Sequence, residues 1–267
     1  MFQRRNIRPR IVDMGYRIVC DFDGTIATSD VTDVLLEVFA APGWYDIEAQ
    51  WLTGLIGSAD CMARQVALLR CSRVAIDRLL DAVDIDPGFA GFVAFCRERD
   101  IELTIVSDGL DYAVARILAR AGLGDLSIIA NRLMFVAHDR YAMLSPHASP
   151  ACRSGAGTCK CRAAGGADPE KPGDSRTTIL IGDGRSDYCA AGAVDFVFAK
   201  SGLLGHCRAN GISHLPYSNF FEIARLLSRH LPGLGASSAI LAGDEAFLDP
   251  EQHPGLNETG MCGPPPP

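Results

Sequence analysis

The feature that most constrains this chain is Tyr16-Arg17-Ile18-Val19-Cys20-Asp21-Phe22-Asp23-Gly24-Thr25, an apolar run that stops abruptly in two carboxylates and a glycine. Such a run predicts a strand buried on both faces of a parallel sheet. Open parallel sheets bind ligands at the carboxyl ends of their strands. Residues two apart on an extended strand point the same way, so Asp21 and Asp23 share one pocket while Phe22 turns into the core. Gly24 tolerates the sharp exit that follows. Crowded carboxylates repel and raise a pKa, and a divalent cation relieves the repulsion while leaving one of them as a nucleophile. An Asp-x-Asp taken alone is as readily a solvated turn, so the remainder of the chain decides.

What decides is recurrence. Ile101 to Val106 is a second strand-like run, ending in Ser107-Asp108-Gly109, and Thr177 to Ile181 is a third, ending in Gly182-Asp183-Gly184-Arg185-Ser186-Asp187. Val194 to Phe198 reads as a fourth strand. Helical patterns run from Val31 to Phe39 behind a Ser29 or Asp30 cap, Trp44 to Leu55, Ser58 to Cys71, Ser72 to Val83, from Asp86-Pro87 to Arg99, and Leu110 to Ala121 with Gly122 as its cap. Asn219 and Glu222 form a capping-box pair before Ile223, Leu226 and Leu227. Two short apolar segments lie near Ile128-Ile129 and Leu133 to Val136. The stretch from Ser145 to Asp174 has the composition of a loop. Nothing between Thr28 and Asp86 reads as a strand. The expected fold is therefore α/β, a Rossmann-like parallel sheet core with an inserted helical cap. Its expected boundaries are 11–28 and 97–231 for the core, 29–96 for the cap and 232–267 for a disordered tail.

Three strand ends brought together supply what transfer of a phosphoryl group from a monoester needs. Asp21 is positioned to attack phosphorus. Asp23 can protonate the leaving alcohol and then take a proton from the water that breaks the aspartyl-phosphate. Ser107 and the backbone N–H at Gly109 can donate to the phosphoryl oxygens. Asp183 and Asp187, four apart and on one face if the turn becomes helical, join the Asp21/Asp23 pair in a hard oxygen site suited to Mg2+. A lysine is still needed against the excess negative charge, and Lys160 and Lys171 lie in the right interval.

In this order, Asp21-Phe22-Asp23-Gly24-Thr25, Ser107-Asp108-Gly109, a lysine and Gly182-Asp183 with Asp187 resemble the haloacid dehalogenase superfamily of aspartate-nucleophile phosphatases. A helical insert between the first and second motifs is similar to the cap of its phosphoserine-phosphatase-like group. Asp23 sets the chain apart from true dehalogenases. Over roughly Arg17 to Ala224, the segments Gly88-Phe89 to Phe95, Ser145-Pro146-His147, Cys159-Lys160-Cys161 and His214-Leu215-Pro216-Tyr217 resemble the methionine-salvage phosphatases. That resemblance implies Lys160 as the motif lysine and 2-hydroxy-3-keto-5-methylthiopentenyl-1-phosphate as substrate. Phosphoserine or another small phosphorylated metabolite is the alternative, and a binding module without turnover is a third. In two places the chain departs from the pattern: Asp108 replaces a glycine, and no proline follows Lys160.

Net charge is −7, which argues against nucleic acid as a partner, and no run has the length of a membrane span. Arg4, Arg5, Arg8 and Arg10 are not followed by the apolar segment of a secretory signal, so a cytoplasmic location is expected. Of ten cysteines, Cys20, Cys61, Cys71 and Cys96 sit in apolar patterns and read as buried hydrophobes. Cys152, Cys159 and Cys161 with His147 offer four soft zinc ligands, although a cysteine-rich loop without metal fits the spacing better. Trp44, Trp51, Phe89 and Phe92 read as core rather than pocket. Val31, Val34, Leu35, Phe39 and Trp44 give the cap an apolar character, from which preference for an enol or keto phosphate with a thioether tail over phosphoserine is expected.

Overall fold

The computed structural model describes residues 15–165 and 176–230. The arginine-rich leader, Lys171, the 232–267 tail, and residues 11–14 and 231 of the expected core lie outside them. Strand β1 (Tyr16–Cys20) is followed by helices α1 (Val31–Phe39), α2 (Trp44–Leu52), α3 (Ser58–Val66), α4 (Arg73–Leu80) and α5 (Phe89–Glu98). Then come β2 (Glu102–Leu110), α6 (Asp111–Arg120), β3 (Ser127–Ala137), β4 (Arg140–Leu144), the short α7 (Lys160–Ala163) and β5 (Thr177–Gly182). A 3-10 turn at Arg185–Asp187 leads into α8 (Tyr188–Ala191), β6 (Phe196–Ala199), α9 (Ser201–Asn210), β7 (His214–Pro216) and α10 (Phe220–His230).

The strands form one seven-stranded sheet in the order β4-β3-β2-β1-β5-β6-β7, parallel except for the β3–β4 hairpin. This is the Rossmann-like α/β arrangement. β1 is central, and Cys20 lies level with Ile105 of β2 and Ile181 of β5. Side chains alternate between faces. Ile18, Cys20, Ile105, Ile179 and Ile181 bury against residues of α5, α6 and α10, while Val19, Val106, Leu180 and Val197 bury against those of α8 and α9. Helix starts follow their sequence signals: Asp30 Oδ1 accepts from Asp33 N at 3.0 Å, and Ser72 Oγ from Ala75 N at 3.3 Å. At α10, Asn219 Oδ1 accepts from Glu222 N at 2.9 Å, but the Glu222 carboxylate returns to Ser218 N, one residue earlier than in a standard capping box.

Between Thr28 and Asp86, the segment expected as a helical insert, lie α1 to α4 and no strand. Its entry and exit run side by side, Thr28 N donating to Asp84 O at 3.1 Å and Asp86 N to Ile26 O at 2.8 Å. Helix α5, placed by the sequence largely within the insert, packs on α10 through Phe89 and Phe92, whose rings lie 4.9 and 5.1 Å from that of Phe220. One expectation is corrected. The apolar segments near Ile128 and Leu133 are a single strand, β3, which pairs with the unforeseen β4. Asn131 and Arg132 hid its continuity, and buried Asn131 donates its amide nitrogen to Asp108.

Candidate active site

Because β1, β2 and β5 are in register, their carboxyl ends place Asp21, Ser107 and Asp183 at one edge of the sheet. Asp21 continues β1 by donating its backbone N–H to Ile181 O at 2.9 Å, and its Oδ1 accepts from Phe22 N at 2.7 Å. The carboxylate is 4% exposed. Gly24 stands at φ +67°, and a Cβ there would meet Asp183 Oδ2 at 2.6 Å, so both conformation and space require glycine. Strand β2 continues through Ser107-Asp108-Gly109 with a register shift between Val106 and Leu110. The shift lets Ser107 Oγ turn back, accepting from Gly109 N at 2.8 Å and donating to Asp23 Oδ2 at 3.0 Å. The other Asp23 oxygen accepts from Val31 N at 2.9 Å, at the start of α1.

Lys160 reaches this edge from the loop before β5. Its ammonium, 1% exposed, lies 2.6 Å from Asp21 Oδ1 and 2.7 Å from Asp187 Oδ1, and donates to Ser186 Oγ at 2.8 Å. Burial alone would lower the amine, but Asp187 and Asp21 outweigh it and hold it above its ordinary value. Asp187 is fully buried, and its Oδ2 accepts from Asp183 N and Gly184 N at 3.1 and 3.2 Å. The 3-10 turn thus folds Asp187 back beneath Asp183, the juxtaposition expected from their spacing. Carboxylate oxygens of Asp21, Asp183 and Asp187 lie within 4.8 Å of one another. Asp23 is not in that group, its carboxylate being taken up by Ser107 and Val31.

Burial pushes the Asp21 carboxyl well up, Asp187 adds to this and Lys160 opposes it. Burial likewise raises Asp183, again with Asp187 adding. Asp23 is pushed up to about 7, first by withdrawal from water and then by Asp30. Three carboxylates facing one ammonium leave negative charge uncompensated in a hard oxygen site, which fits a small divalent cation.

A cavity of about 460 Å³ opens above these groups. Its floor is Asp21, Asp23, Gly109 and Asp183; its walls from the insert are Asp30, Asp33, Glu48, Trp51, Ser58, Met62 and Gln65, with Arg185 at the rim. The apolar residues expected to shape the cavity, Val31, Val34, Leu35, Phe39 and Trp44, do not line it. Val31, Leu35 and Trp44 are buried in the core, as are Phe89 and Phe92, and only Trp51 of the four singled-out aromatics lines the cavity. The polar positions of the insert helices were legible but read equally as a solvated face.

Asp108 binds three separate segments. Its Oδ2 accepts from Ser58 Oγ of α3 at 2.5 Å, and its Oδ1 from Thr158 N at 2.9 Å, two residues before Lys160. Asn131 of β3 donates to Asp108 O at 2.6 Å. Sequence reasoning marked Asp108 only as a departure from a pattern. The zinc set is not assembled: among the described residues the one group of three or more candidate ligands is the aspartate triad. His147 meets the cysteine loop through its carbonyl, which accepts from Cys159 N at 3.1 Å.

The haloacid dehalogenase-like hydrolase family matches residues 18–192. A 2-hydroxy-3-keto-5-methylthiopentenyl-1-phosphate phosphatase of Brevibacillus brevis is 33% identical over 79% of this chain and 95% of its own. That of Geobacillus kaustophilus is 31% identical with the same coverage. In structure the chain is similar to a phosphoserine phosphatase solved as a phospho-aspartyl intermediate analogue, with a TM-score of 0.59 at 16% identity over 79% of this chain and 98% of that one. Among the described residues no helix is long and apolar enough to cross a membrane.

Proposed function

The chain belongs to the haloacid dehalogenase-like hydrolase family, and from that premise we propose that it hydrolyses a small phosphomonoester through an aspartyl-phosphate on Asp21. The observation that carries this reading is the contact of Asp21, on the cavity floor, with the buried Lys160, in a group with Asp183 and Asp187. Lys160 opposes protonation of Asp21 and so favours the ionised oxygen that attacks phosphorus. Asp23, held between Ser107 and Val31 N with its pKa near neutrality, donates a proton to the leaving oxygen. The resulting carboxylate then takes a proton from the water that opens the intermediate. Ser107 and the Gly109 N–H, engaged here with Asp23 and with each other, would exchange those bonds for the phosphoryl oxygens. Asp21, Asp183 and Asp187 would hold Mg2+, which supplies positive charge against the incoming phosphate.

Its substrate is 2-hydroxy-3-keto-5-methylthiopentenyl-1-phosphate, the compound in the names of relatives that match nearly end to end. Trp51 and Met62 offer polarisable surface to the substrate's thioether, and Asp30 and Glu48 offer acceptors to its single 2-hydroxyl. One observation favours a second substrate: the cavity lining also holds Asp30, Asp33 and Glu48 together with Arg185, which suit the ammonium and carboxylate of phosphoserine. A panel containing both esters, ranked by kcat/KM in Mg2+, separates them, the enol phosphate being expected to lead. EDTA should abolish turnover and Mg2+ restore it. Asp21→Asn should keep the fold, by circular dichroism, and lose nearly all turnover. Near-normal activity in that variant removes the mechanism.

A further inference from the structure

Lys160 is flanked by cysteines. Cys159 precedes α7 and is 3% exposed, and its Sγ lies 3.1 Å from that of Cys161, which is half-buried one residue beyond the lysine. Cys152, also half-buried, hydrogen-bonds with Cys159, and half-buried Cys189 with Cys161. All four are free thiols. They do not form a preformed metal cage with each other or with His147. We propose that Cys159 and Cys161 close a reversible disulfide that pulls Lys160 out of register with Asp21, with Cys152 as the thiol at which a hydroperoxide enters. This rests on the role given to Lys160 above.

The entry point follows from the environments. The Cys152 Sγ lies 3.3 Å from the Ser154 hydroxyl; burial opposes its ionisation, but that hydroxyl, the Ala156 and Ser154 amides and the Cys159 thiol outweigh it and lower the thiol. Burial pushes Cys161 up to about 12, so it is the poorer nucleophile toward an oxidant. Ionised Cys152 attacks hydrogen peroxide: an S–O bond forms, the O–O bond breaks, and the departing hydroxide leaves as water after taking a proton. The Cys159 thiol then displaces the hydroxyl of the Cys152 sulfenic acid. An S–S bond forms, the S–O bond breaks, and the Cys159 proton leaves in a second water. Exchange with Cys161 moves the disulfide to the Cys159–Cys161 pair and returns Cys152 as a thiol. In sum, two thiols lose two electrons and two protons, and one peroxide becomes two waters.

A disulfide needs its sulfurs at about 2.05 Å, so the 3.1 Å pair must close by about 1 Å. Lys160 is the residue between them. Its ammonium is held by carboxylates on two other elements, Asp21 after β1 and Asp187 in the 3-10 turn, which the closing loop does not carry along. A displacement of about 1 Å at a positioned group costs on the order of 100-fold in rate.

The test uses the full chain. Trypsin cuts after Arg153, Lys160 and Arg162, so Cys152, Cys159 and Cys161 fall in different peptides. After peroxide treatment and alkylation, peptides 154–160 and 161–162 should be joined and should separate on reduction. Acetylation of Lys160 in the folded protein should rise several-fold in the oxidised state, read on a non-tryptic peptide, since the amine is buried when reduced. Turnover of an aryl phosphate should fall on the order of 100-fold and return with dithiothreitol. Cys161→Ser should prevent both the acetylation change and the loss of turnover, and Cys152→Ser should slow them. The mapping and the labelling need no turnover. If the reduced protein is inactive but the cross-link and labelling appear, the phosphatase reading fails and the switch stands. Absence of the 159–161 cross-link in oxidised folded protein overturns the switch. So does a cross-link that leaves Lys160 unlabelled, or one zinc per chain bound by these thiols.

Discussion

Replacing Lys160 by methionine tests the site through stability as well as rate. The side chains are similar in length, so the main change is loss of a buried cation that touches Asp21 at 2.6 Å, Asp187 at 2.7 Å and Ser186 at 2.8 Å. Two carboxylates almost sealed from water are then left without their counter-charge. Breaking a buried pair in this way costs about 3–5 kcal/mol. With about 2–4 °C of Tm per kcal/mol for a domain of this size, the metal-free variant should melt roughly 6–20 °C below the parent. The sign of its pH dependence follows. Asp21 is already raised by burial and by Asp187, and loss of Lys160 raises it further, so the folded variant binds a proton that the unfolded chain does not. Its deficit should therefore shrink as pH falls from neutral toward the ordinary carboxylate range. Lys160→Met/Asp187→Asn should recover part of the lost stability without recovering turnover, because one uncompensated charge is gone while Asp21 still lacks its partner. Differential scanning calorimetry in EDTA and in excess Mg2+ measures the stabilities, and a steady-state phosphatase assay the turnover. A metal-free Lys160→Met protein that melts within about 2 °C of the parent at neutral pH would show that the pair contributes little and that the charge argument is wrong.

Two further outcomes follow from the same contacts. Asp108→Ala removes the acceptor shared by Ser58 and Thr158, so it should cost about 1–3 kcal/mol and lower kcat through the displaced Lys160 loop, read by steady-state kinetics and thermal melting; Ser58→Ala should mainly raise KM, and unchanged kinetics in both would deny the clasp. In metal-free parent protein, Asp21, Asp23 and Asp183 all bind protons more tightly folded than unfolded, so Tm should fall as pH rises toward and through about 7, the value at Asp23. A Tm that stays flat or climbs over that interval contradicts these shifts.

What could be read in advance divides along the distance over which a residue's partner lies. Asp21, Ser107 and Asp183 were legible because each ends an apolar run, and parallel pairing in register needs no further information to bring such ends together. Asp187 was legible from its spacing to Asp183, since a local turn decides it. Strand β3 was not legible as one element because Asn131 looks like a loop residue until Asp108, 23 positions away, is seen to accept from its amide nitrogen. The cavity walls failed for a related reason. Helical periodicity identifies which face of α1 and α2 is buried, and Val31, Leu35 and Trp44 do obey it. It does not say whether the opposite face meets bulk water or an enclosed space over a strand end. Asp33 and Glu48 have the same signature in either case, so assigning an apolar character to the insert transferred the core-facing residues to a surface they never reach. In the proposed mechanism the chemistry at phosphorus depends on strand ends, which are encoded locally. The choice of leaving group depends on how the insert helices sit over them, which is why phosphoserine and the enol phosphate must be separated by rates and not by composition.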